Sequence, residues 1–319
     1  MAIRSFDELT HQGRIRRLRK VAEAALCELG FGKCRCRKFK WTCDSGEYRV
    51  RIHRDKKAPQ IIESELDWLE ALCHDTALSV PQPYRSPDGK RVIVADVPGV
   101  PGPFPVSVTS WLSGRILDQD HRSPRHFELL GRVVGELHNH SEAWSPPKGF
   151  DRPTYDAEGL IGSRSKFPLD EIGPAPVRRD LETVYGRLTE AEQQMGGDTE
   201  MFGLIHADLS FGNVLFRPGH AIAIDFGDCG FGYYLYDIAV ILAGPYGRPG
   251  FQERSDAFLK GYREVRSLSM DLEAYIPTLM ASRAAANILE AAAKSPDHSL
   301  IESQWRYRVQ PLLRTEFPG

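Results

Sequence analysis

Four side chains that can carry protons or bind a metal ion lie within a short stretch of the C-terminal half of the chain. His206 and Asp208 begin the stretch, Asn213 follows five residues after Asp208, and Asp225 comes twelve residues after that. Phosphoryl transfer needs one carboxylate at the acceptor hydroxyl, together with an amide and a second carboxylate that hold Mg²⁺ on the nucleotide phosphates. The residue types and their spacing therefore predict a phosphoryl-transfer site.

A short hairpin is predicted to position two of these groups. Residues 214–216 and 221–224 have the pattern of two strands, and a turn that contains Pro-Gly joins them. We expect this hairpin to bring Asn213 and Asp225 side by side at its open end. The alternative is that Asp208 and Asp225 are ordinary turn residues, but it leaves the histidine, the asparagine and both spacings to accident.

The motifs of this region resemble those of the aminoglycoside phosphotransferase and choline kinase-like enzymes, which are small-molecule relatives of the protein kinases. These enzymes carry H-x-D-x-x-x-x-N, here His206 to Asn213, and a following I-D-[FW], here residues 224–226. They usually end the region with D-[IL]-A, which is present here as residues 237–239. Three linked motifs in order within 34 residues make the resemblance specific.

The resemblance implies an α+β fold of the bilobal protein-kinase type. Its small antiparallel-sheet lobe, which covers the nucleotide, would comprise residues 1–107, and the hinge would comprise residues 108–114. The larger, mostly helical lobe, with the catalytic and acceptor-binding groups, would comprise residues 115–319. In the hinge, Trp111 and Leu112 are placed either beside the adenine of the nucleotide or in the protein core.

The resemblance also implies roles for single residues, with ATP and Mg²⁺ as cofactors. Asp208 is the candidate catalytic base, and His206 supports its loop by a hydrogen bond more plausibly than it transfers a proton. Asn213 and Asp225 are the expected Mg²⁺ ligands, because this hard cation takes oxygen ligands. Asp237 resembles the buried aspartate that holds the backbone amides of the catalytic loop. Asp228 is left either as a supporting residue or as a substrate contact.

In the smaller lobe, Arg51 occupies the position of a phosphate-binding lysine, although arginine is not a simple substitute for lysine. Glu65 matches the helix glutamate that pairs with that cation, and the alternative is that each is a surface charge. Relatives place an additional strand and a phosphate-covering loop before the strand hairpin, where this chain has only residues 32–36. We therefore predict that this strand and loop are shortened.

Composition limits the classes of function. The chain has 319 residues and a net charge of −2, which predicts no nucleic-acid partner. It contains no apolar stretch of about 18 residues and no secretory signal pattern near its beginning, so we expect no membrane span and no export.

Six cysteines in a chain of this length favour reduced thiols, and hence a cytoplasmic location, over a disulfide framework. Cys34, Cys36 and Cys43 lie close together, but their spacing fits no structural zinc pattern well. Packing on one face of a strand is the preferred explanation for the cluster.

Periodicity predicts the remaining elements. Strands are expected at residues 35–42, 47–53 and 91–97. Helices are expected at residues 7–30, 62–72, 127–140, 176–195, 251–265, 271–294 and 300–313.

The sequence thus predicts an enzyme that transfers the γ-phosphoryl group of ATP to a hydroxyl of a small molecule, such as an amino alcohol, a sugar or an aminoglycoside-like compound. A protein Ser/Thr kinase is the first alternative, disfavoured because no activation segment follows Asp225. A nucleotide-binding module without turnover is the second. The residues considered for the acceptor pocket are Tyr233, Tyr234, Glu290, Glu302, Trp305, Arg306 and Arg308. Because they include acidic, aromatic and basic groups, the acceptor's charge stays open, as does the oligomeric state.

Overall fold

The computed structural model describes residues 11–28, 34–37, 40–53, 58–96, 98, 103–162, 175–294 and 298–314. The chain divides into two compact units. The first unit comprises residues 1–113 and 146–151, and the second comprises residues 114–145 and 152–319. The roles predicted for the two lobes and the hinge remain predictions.

The described residues of the first unit form an antiparallel sheet and two helices. Its elements are α1 (His11–Glu28), β1 (Cys34–Arg37), β2 (Lys40–Cys43), β3 (Gly46–Ile52), α2 (Pro59–Asp75), β4 (Val92–Ala95) and β5 (Phe104–Ser110). The five strands are arranged in the order β1-β2-β3-β5-β4. Trp41, Cys43 and Tyr48 from β2 and β3 are buried in one cluster with Val21 and Leu26 of α1. The helix therefore covers the apolar face of the sheet.

The predicted strand at residues 35–42 is in fact two strands, β1 and β2, which pair with Cys34 opposite Cys43 and Arg37 opposite Lys40. Polar and apolar residues alternate through the connection, and no Gly, Pro, Asn or Asp marks a turn there. The sequence pattern therefore hid the reversal. The additional strand that we predicted to be shortened is present as β1. Its connection to β2, residues 38–39, lies outside the described residues, so the shortened loop stays a prediction.

Cys43, which belongs to the cysteine cluster, is disulfide-bonded. The expectation that the cysteines are reduced thiols is therefore wrong for this residue. Cys27, Cys73 and Cys229 are free thiols. The side chains of β1 lie outside the described part of the chain. Strand packing does account for Cys43 in part, since its side chain is buried in the core of the first unit.

The second unit is mostly helical. Its helices are α3 (Pro124–Ala143), α4 (Ala157–Leu160), α5 (Ala175–Met195), α6 (Tyr234–Ala243), α7 (Phe251–Arg263), α8 (Met270–Glu273), α9 (Ile276–Lys294), α10 (His298–Arg308) and α11 (Gln310–Leu313). Its strands are β6 (Thr154–Tyr155), β7 (Phe202–Ile205), β8 (Val214–Arg217), β9 (His220–Ala223) and β10 (Gly230–Tyr233). Strands β6, β10 and β7 form one small sheet, and β8 and β9 form the predicted hairpin.

Helices α3 and α7 approach each other so closely that two positions accept only glycine. A Cβ atom at Gly131 would lie 2.1 Å from the carbonyl oxygen of Phe258, and one at Gly261 would lie 2.0 Å from that of Glu128. Real Cβ contacts are never this short, so the missing side chains let the two backbones touch. This contact places Tyr262 of α7 beside α3, where it contributes to the site described below.

Two predicted long helices are each divided in the structure. Residues 271–294 form α8 and α9, and residues 300–313 form α10 and α11. In both cases a proline, Pro277 or Pro311, lies in the first turn of the second helix. Proline has no N–H to donate to the preceding turn, so it begins a helix more readily than it continues one. Among the described residues, no helix combines the length and the apolar character that crossing a membrane requires.

Candidate active site

The loop that carries Asp208 follows β7 and bends sharply at Ala207, which has a φ of 64°. This left-handed conformation costs an alanine about 1–2 kcal/mol, so neighbouring groups must hold it. Asp237 on α6 supplies that support. Its carboxylate accepts hydrogen bonds from the backbone N–H of His206 at 2.8 Å and of Ala207 at 2.7 Å. The second unit therefore anchors the bend from inside its core.

Asp237 is itself completely buried and has a third partner, His138 of α3. His138 Nε2 lies 3.3 Å from the Asp237 carboxylate, and its Nδ1 lies 2.9 Å from the hydroxyl of Tyr262. A neutral ring that donates from Nε2 and accepts at Nδ1 satisfies all three groups. Burial lowers the pKa of His138. Burial alone would raise the pKa of Asp237, but His138 and the backbone N–H of His206 outweigh it and lower that pKa.

His206 lies inside the protein with both ring nitrogens engaged. Nε2 lies 3.1 Å from the carbonyl oxygen of Ile224, to which it donates, and Nδ1 accepts from the backbone N–H of Asp208 at 3.4 Å. Its ring packs against Phe226 with 4.7 Å between the ring centroids. These contacts connect the loop of Asp208 to the segment that leads into Asp225. They favour a supporting role for His206 over a role in proton transfer.

Both carboxylate oxygens of Asp208 have a partner. Oδ2 accepts a hydrogen bond from Asn213 Nδ2 at 2.9 Å, and the same nitrogen donates to the Asp208 carbonyl oxygen at 2.8 Å. Oδ1 accepts from Nη2 of Arg283, which belongs to α9. Burial raises the pKa of Asp208, the Arg283 guanidinium opposes this rise, and Asp228 adds to it. The side chain is thus oriented from two sides and stays partly open to solvent.

The hairpin places Asn213 and Asp225 at the same open end. Val214 pairs with Ala223, and the backbone N–H of Ile224 donates to the carbonyl oxygen of Asn213 at 2.9 Å. Asp225 follows directly in the left-handed conformation, with φ 66° and ψ 62°. Because the Asn213 amide nitrogen faces Asp208, its oxygen is the atom left to face a ligand. An amide oxygen and a carboxylate are the donors that a hard cation prefers, so these residues fit Mg²⁺.

Arg152 and Tyr155 hold the turn that follows Asp225. Arg152 is buried and donates from Nη2 to the carbonyl oxygen of Gly227 at 2.8 Å and from Nε to that of Cys229. The Tyr155 hydroxyl donates to the carbonyl oxygen of Asp228 at 2.6 Å. The Asp228 side chain is exposed. The turn is therefore fixed through its backbone, which leaves the Asp228 side chain facing solvent.

In the first unit, Arg51 on β3 and Glu65 on α2 form an ion pair, with Arg51 Nη1 3.1 Å from Glu65 Oε1. The Glu65 side chain is only 9% exposed, so it is not a surface charge. Trp111 and Leu112 follow β5 and are half-buried. The backbone N–H of Trp111 donates to the carbonyl oxygen of Glu47 at 3.0 Å, so this donor is already engaged beside the sheet, and the adenine contact stays a prediction.

Several residues considered for the acceptor pocket belong to the core instead. Tyr233, Tyr234 and Trp305 are buried. Tyr234 stacks on His138 with 4.6 Å between centroids, and Trp305 Nε1 donates to Asp180 at 2.8 Å. The charged candidates Glu290, Glu302, Arg306 and Arg308 are exposed. The aromatic residues in these helices and strands pack in the core. Their residue type alone did not distinguish a core position from a position in the acceptor pocket.

Sequence reasoning did not find Arg283, Arg152 or Tyr262 as parts of the site. Each stands alone within an ordinary helical or loop segment, without a motif around it. Tyr262 and Arg283 reach the site through the packing of α3, α7 and α9, and Arg152 reaches it through hydrogen bonds to residues 75 or more positions away, which no local pattern records.

Comparison with known proteins places this geometry in a family. A family model described as the phosphotransferase enzyme family, APH, matches residues 37–272. Amicoumacin kinase of Bacillus subtilis is 28% identical in an alignment of 287 residues that covers 82% of this chain and 81% of that protein. An uncharacterised protein of Deinococcus radiodurans is 28% identical over 253 residues, covering 75% of this chain and 70% of that protein.

Solved structures of similar fold include a microcompartment-associated aminopropanol kinase, with 27% identity and a TM-score of 0.75 over 91% of this chain and 94% of that one. An amicoumacin kinase in complex with AMP-PNP, Ca²⁺ and Ami aligns with a TM-score of 0.74 and 22% identity, covering 97% and 99% of the two chains. The predicted protein-kinase-like α+β fold is therefore confirmed. The chain belongs to the APH phosphotransferase enzyme family and is a small-molecule phosphotransferase.

Proposed function

We propose that this protein transfers the γ-phosphoryl group of ATP to a hydroxyl group of a small molecule, with Mg²⁺ as metal ion and Asp208 as base. The observation that carries the proposal is the orientation of the Asp208 carboxylate by Asn213 on one oxygen and Arg283 on the other. A carboxylate held in this way can receive a hydroxyl without first reorganising, and such positioning supplies much of the catalysis in phosphoryl transfer.

Each carboxylate oxygen of Asp208 has one protein partner and can accept a second hydrogen bond. The acceptor hydroxyl would donate to one of these oxygens. As the new bond between the acceptor oxygen and phosphorus forms, and the bond to ADP breaks, Asp208 would take the hydroxyl proton. His206 and Asp237 contribute by holding the backbone on either side of Ala207, so that the carboxylate keeps its place.

Asn213 and Asp225 are proposed to hold Mg²⁺, which supplies positive charge to the phosphate oxygens. Support comes from their oxygen atoms at one end of the hairpin and from a similar amicoumacin kinase that was solved with AMP-PNP and Ca²⁺. In the first unit, Arg51 is proposed to bind nucleotide phosphate, because Glu65 holds its guanidinium in one place. Arginine can engage phosphate through two N–H groups at once.

The acceptor is proposed to be a small molecule, as the names of the similar aminopropanol and amicoumacin kinases suggest. The path of the chain after Asp225 supports the same choice. A short 3-10 helix at Phe226–Asp228 leads into β10, and β10 leads directly into α6. A protein kinase needs an activation segment after the motif that contains Asp225. Here the chain from Asp225 to the motif that contains Asp237 is too short to hold one. The chain has the proposed base, Asp208, and both proposed metal ligands, Asn213 and Asp225. A module that only binds nucleotide would have no use for all three, so their presence argues against that alternative.

The test is ADP release and ³¹P NMR of the product with ATP, Mg²⁺ and a panel of small alcohols, amino alcohols, sugars and aminoglycosides. We expect Asp208→Asn to lower kcat by about 10²–10⁴-fold, the usual contribution of a positioned acid–base group. The variant should still show the upward shift in Tm that Mg·ATP gives the parent. Asp256→Asn is the matched control, because Asp256 is exposed on α7. Transfer at the parent rate by Asp208→Asn would contradict the assignment of the base.

A further inference from the structure

Arg283 is a charged residue of α9 whose side chain is only 20% exposed and reaches the same carboxylate as the acceptor hydroxyl. Its Nη2 donates to Asp208 Oδ1, and its Nη1 lies 3.4 Å from the carbonyl oxygen of Ala207. The hydroxyl of the buried Tyr236 is near the guanidinium. Three separate segments, the catalytic loop, α6 and α9, thus meet at one cation.

The surroundings of Arg283 keep it charged. Burial lowers its pKa, but Tyr236 and Asp208 outweigh this effect and raise it. An arginine has five N–H donors in a rigid plane. Within the described parts of the chain, hydrogen bonds from Arg283 reach two acceptors, an oxygen of Asp208 and the carbonyl oxygen of Ala207. Donors therefore remain for a ligand that approaches Asp208.

Because Arg283 contacts Asp208, it limits which chemical groups the acceptor can carry beside its reacting hydroxyl. A hydroxyl that donates to Asp208 places the group on its neighbouring carbon one or two bonds away, within reach of a guanidinium that contacts the same carboxylate. An ammonium group at this position would meet a like charge, whereas a carbonyl oxygen would accept a charge-assisted hydrogen bond.

We propose that Arg283 binds the acceptor, and that the acceptor carries a carbonyl oxygen, in a carboxylate or an amide, on the carbon next to the reacting hydroxyl. The inference rests on the proposed function, since it takes Asp208 as the group that receives the hydroxyl. Arginine suits the role because its planar donors match a carboxylate or an amide oxygen better than a lysine would.

Three compounds with one carbon skeleton and one hydroxyl position test the proposal. They are lactate, lactamide and 1-amino-2-propanol, which differ in the group beside the hydroxyl. ADP release is measured at saturating Mg·ATP for the parent, Arg283→Met and Arg283→Lys, with kcat and KM determined separately. Arg179→Met is the matched control, because Arg179 is exposed on α5. The rise in Tm with Mg·ATP shows that each variant is folded.

We expect the parent to use lactate or lactamide at least tenfold better than 1-amino-2-propanol, by kcat/KM. Arg283→Met should lower kcat/KM for the carbonyl compounds by about 10- to 150-fold, the worth of a charged hydrogen bond, mainly through KM. The same variant should lower the value for 1-amino-2-propanol by a clearly smaller factor, because that compound offers no carbonyl oxygen and loses only the orientation of Asp208 by Arg283. Arg283→Lys should restore part of the loss for lactate, and Arg179→Met should match the parent.

Three results would overturn the proposal while leaving the proposed function in place. The parent could prefer 1-amino-2-propanol, or Arg283→Met could lower all three values by the same factor, which would mean that Arg283 acts only through Asp208. A parent that binds Mg·ATP but phosphorylates none of the three compounds also contradicts the acceptor class. A parent that neither binds nor consumes ATP would instead refute the proposed function itself.

Discussion

Replacing Asp237 by asparagine should release the loop that carries Asp208, the proposed base. The Asp237 carboxylate accepts from the backbone N–H groups of His206 and Ala207 and from His138. Asparagine has almost the same shape but only one oxygen, and its amide NH₂ would face a donor. One of the two backbone N–H groups must then lose its acceptor in a completely buried place.

The size of the effect follows from these contacts. Loss of one hydrogen bond to a charged group costs about 1.5–3 kcal/mol, and an unsatisfied buried N–H costs about 1–3 kcal/mol more. We therefore expect Asp237→Asn to destabilise the region by about 3–5 kcal/mol. Ala207 has an unfavourable backbone conformation at φ 64°, so the released loop should relax away from it. The relaxed loop would displace Asp208, and kcat should fall with the stability.

Hydrogen exchange measured by mass spectrometry is the direct assay. In a peptide that spans residues 202–213, the amides of His206 and Ala207 should exchange more than 100-fold faster in Asp237→Asn, as a loss of about 3 kcal/mol requires. Asp256→Asn is the control, since Asp256 is exposed and its side chain accepts a hydrogen bond from Gln252 Nε2 at 2.8 Å on the surface of α7. Parent-like exchange in Asp237→Asn, with a stability change below about 1 kcal/mol, would refute this account of the loop.

Three further predictions concern packing, metal binding and pH. Gly131→Ala should destabilise the protein by about 1–3 kcal/mol or more in urea unfolding, because its Cβ would strike the backbone of α7. Gly186→Ala, in the interior of α5 with nothing within 4 Å of the new Cβ, should stabilise it by roughly 0.5–1 kcal/mol, and equal effects would contradict the packing argument. Asp225→Asn should weaken the Mg²⁺-dependent rise in Tm with ATP while leaving the Tm without ligand close to the parent value, and an unchanged Mg²⁺ dependence would exclude Asp225 as a ligand. Burial lowers the pKa of His138. The contribution of neutral His138 to stability is therefore complete above the unfolded pKa of about 6.5 and is lost as the pH falls below that value. His138→Gln should flatten the decrease in the urea midpoint between pH 7 and 5, and an unchanged slope would assign that decrease to other groups.

The sequence alone was sufficient for the central motif because that motif is local. His206, Asp208, Asn213 and Asp225 lie on one loop and one hairpin, whose short connections leave the backbone few ways to arrange them. The Pro-Gly turn and the alternation of the two strands indicated the hairpin, and the structure contains it. Helix positions were also predictable, since the apolar stripe that faces a core repeats with the helical period.

Local signals failed where the deciding contact was distant or where the usual markers were missing. The reversal between β1 and β2 has no turn residue in it, so strand alternation continued through the bend without a visible break. Helices α9 and α11 each have a proline in their first turn, but the prediction followed the helical periodicity through it. Tyr234 and Trp305 were considered for the acceptor pocket, but only packing shows that they are buried.

The sequence by itself thus determined the family-level chemistry, the loop of the proposed base and the hairpin of the proposed metal ligands, because the groups involved are neighbours along the chain. Only the tertiary structure decided what surrounds them. Arg283 lies 75 positions after Asp208, and Tyr262 lies 124 positions after His138. These pairs form because α3, α6, α7 and α9 pack in one arrangement, and the free energy of that packing is spread over many side chains, none of which carries a recognisable signal.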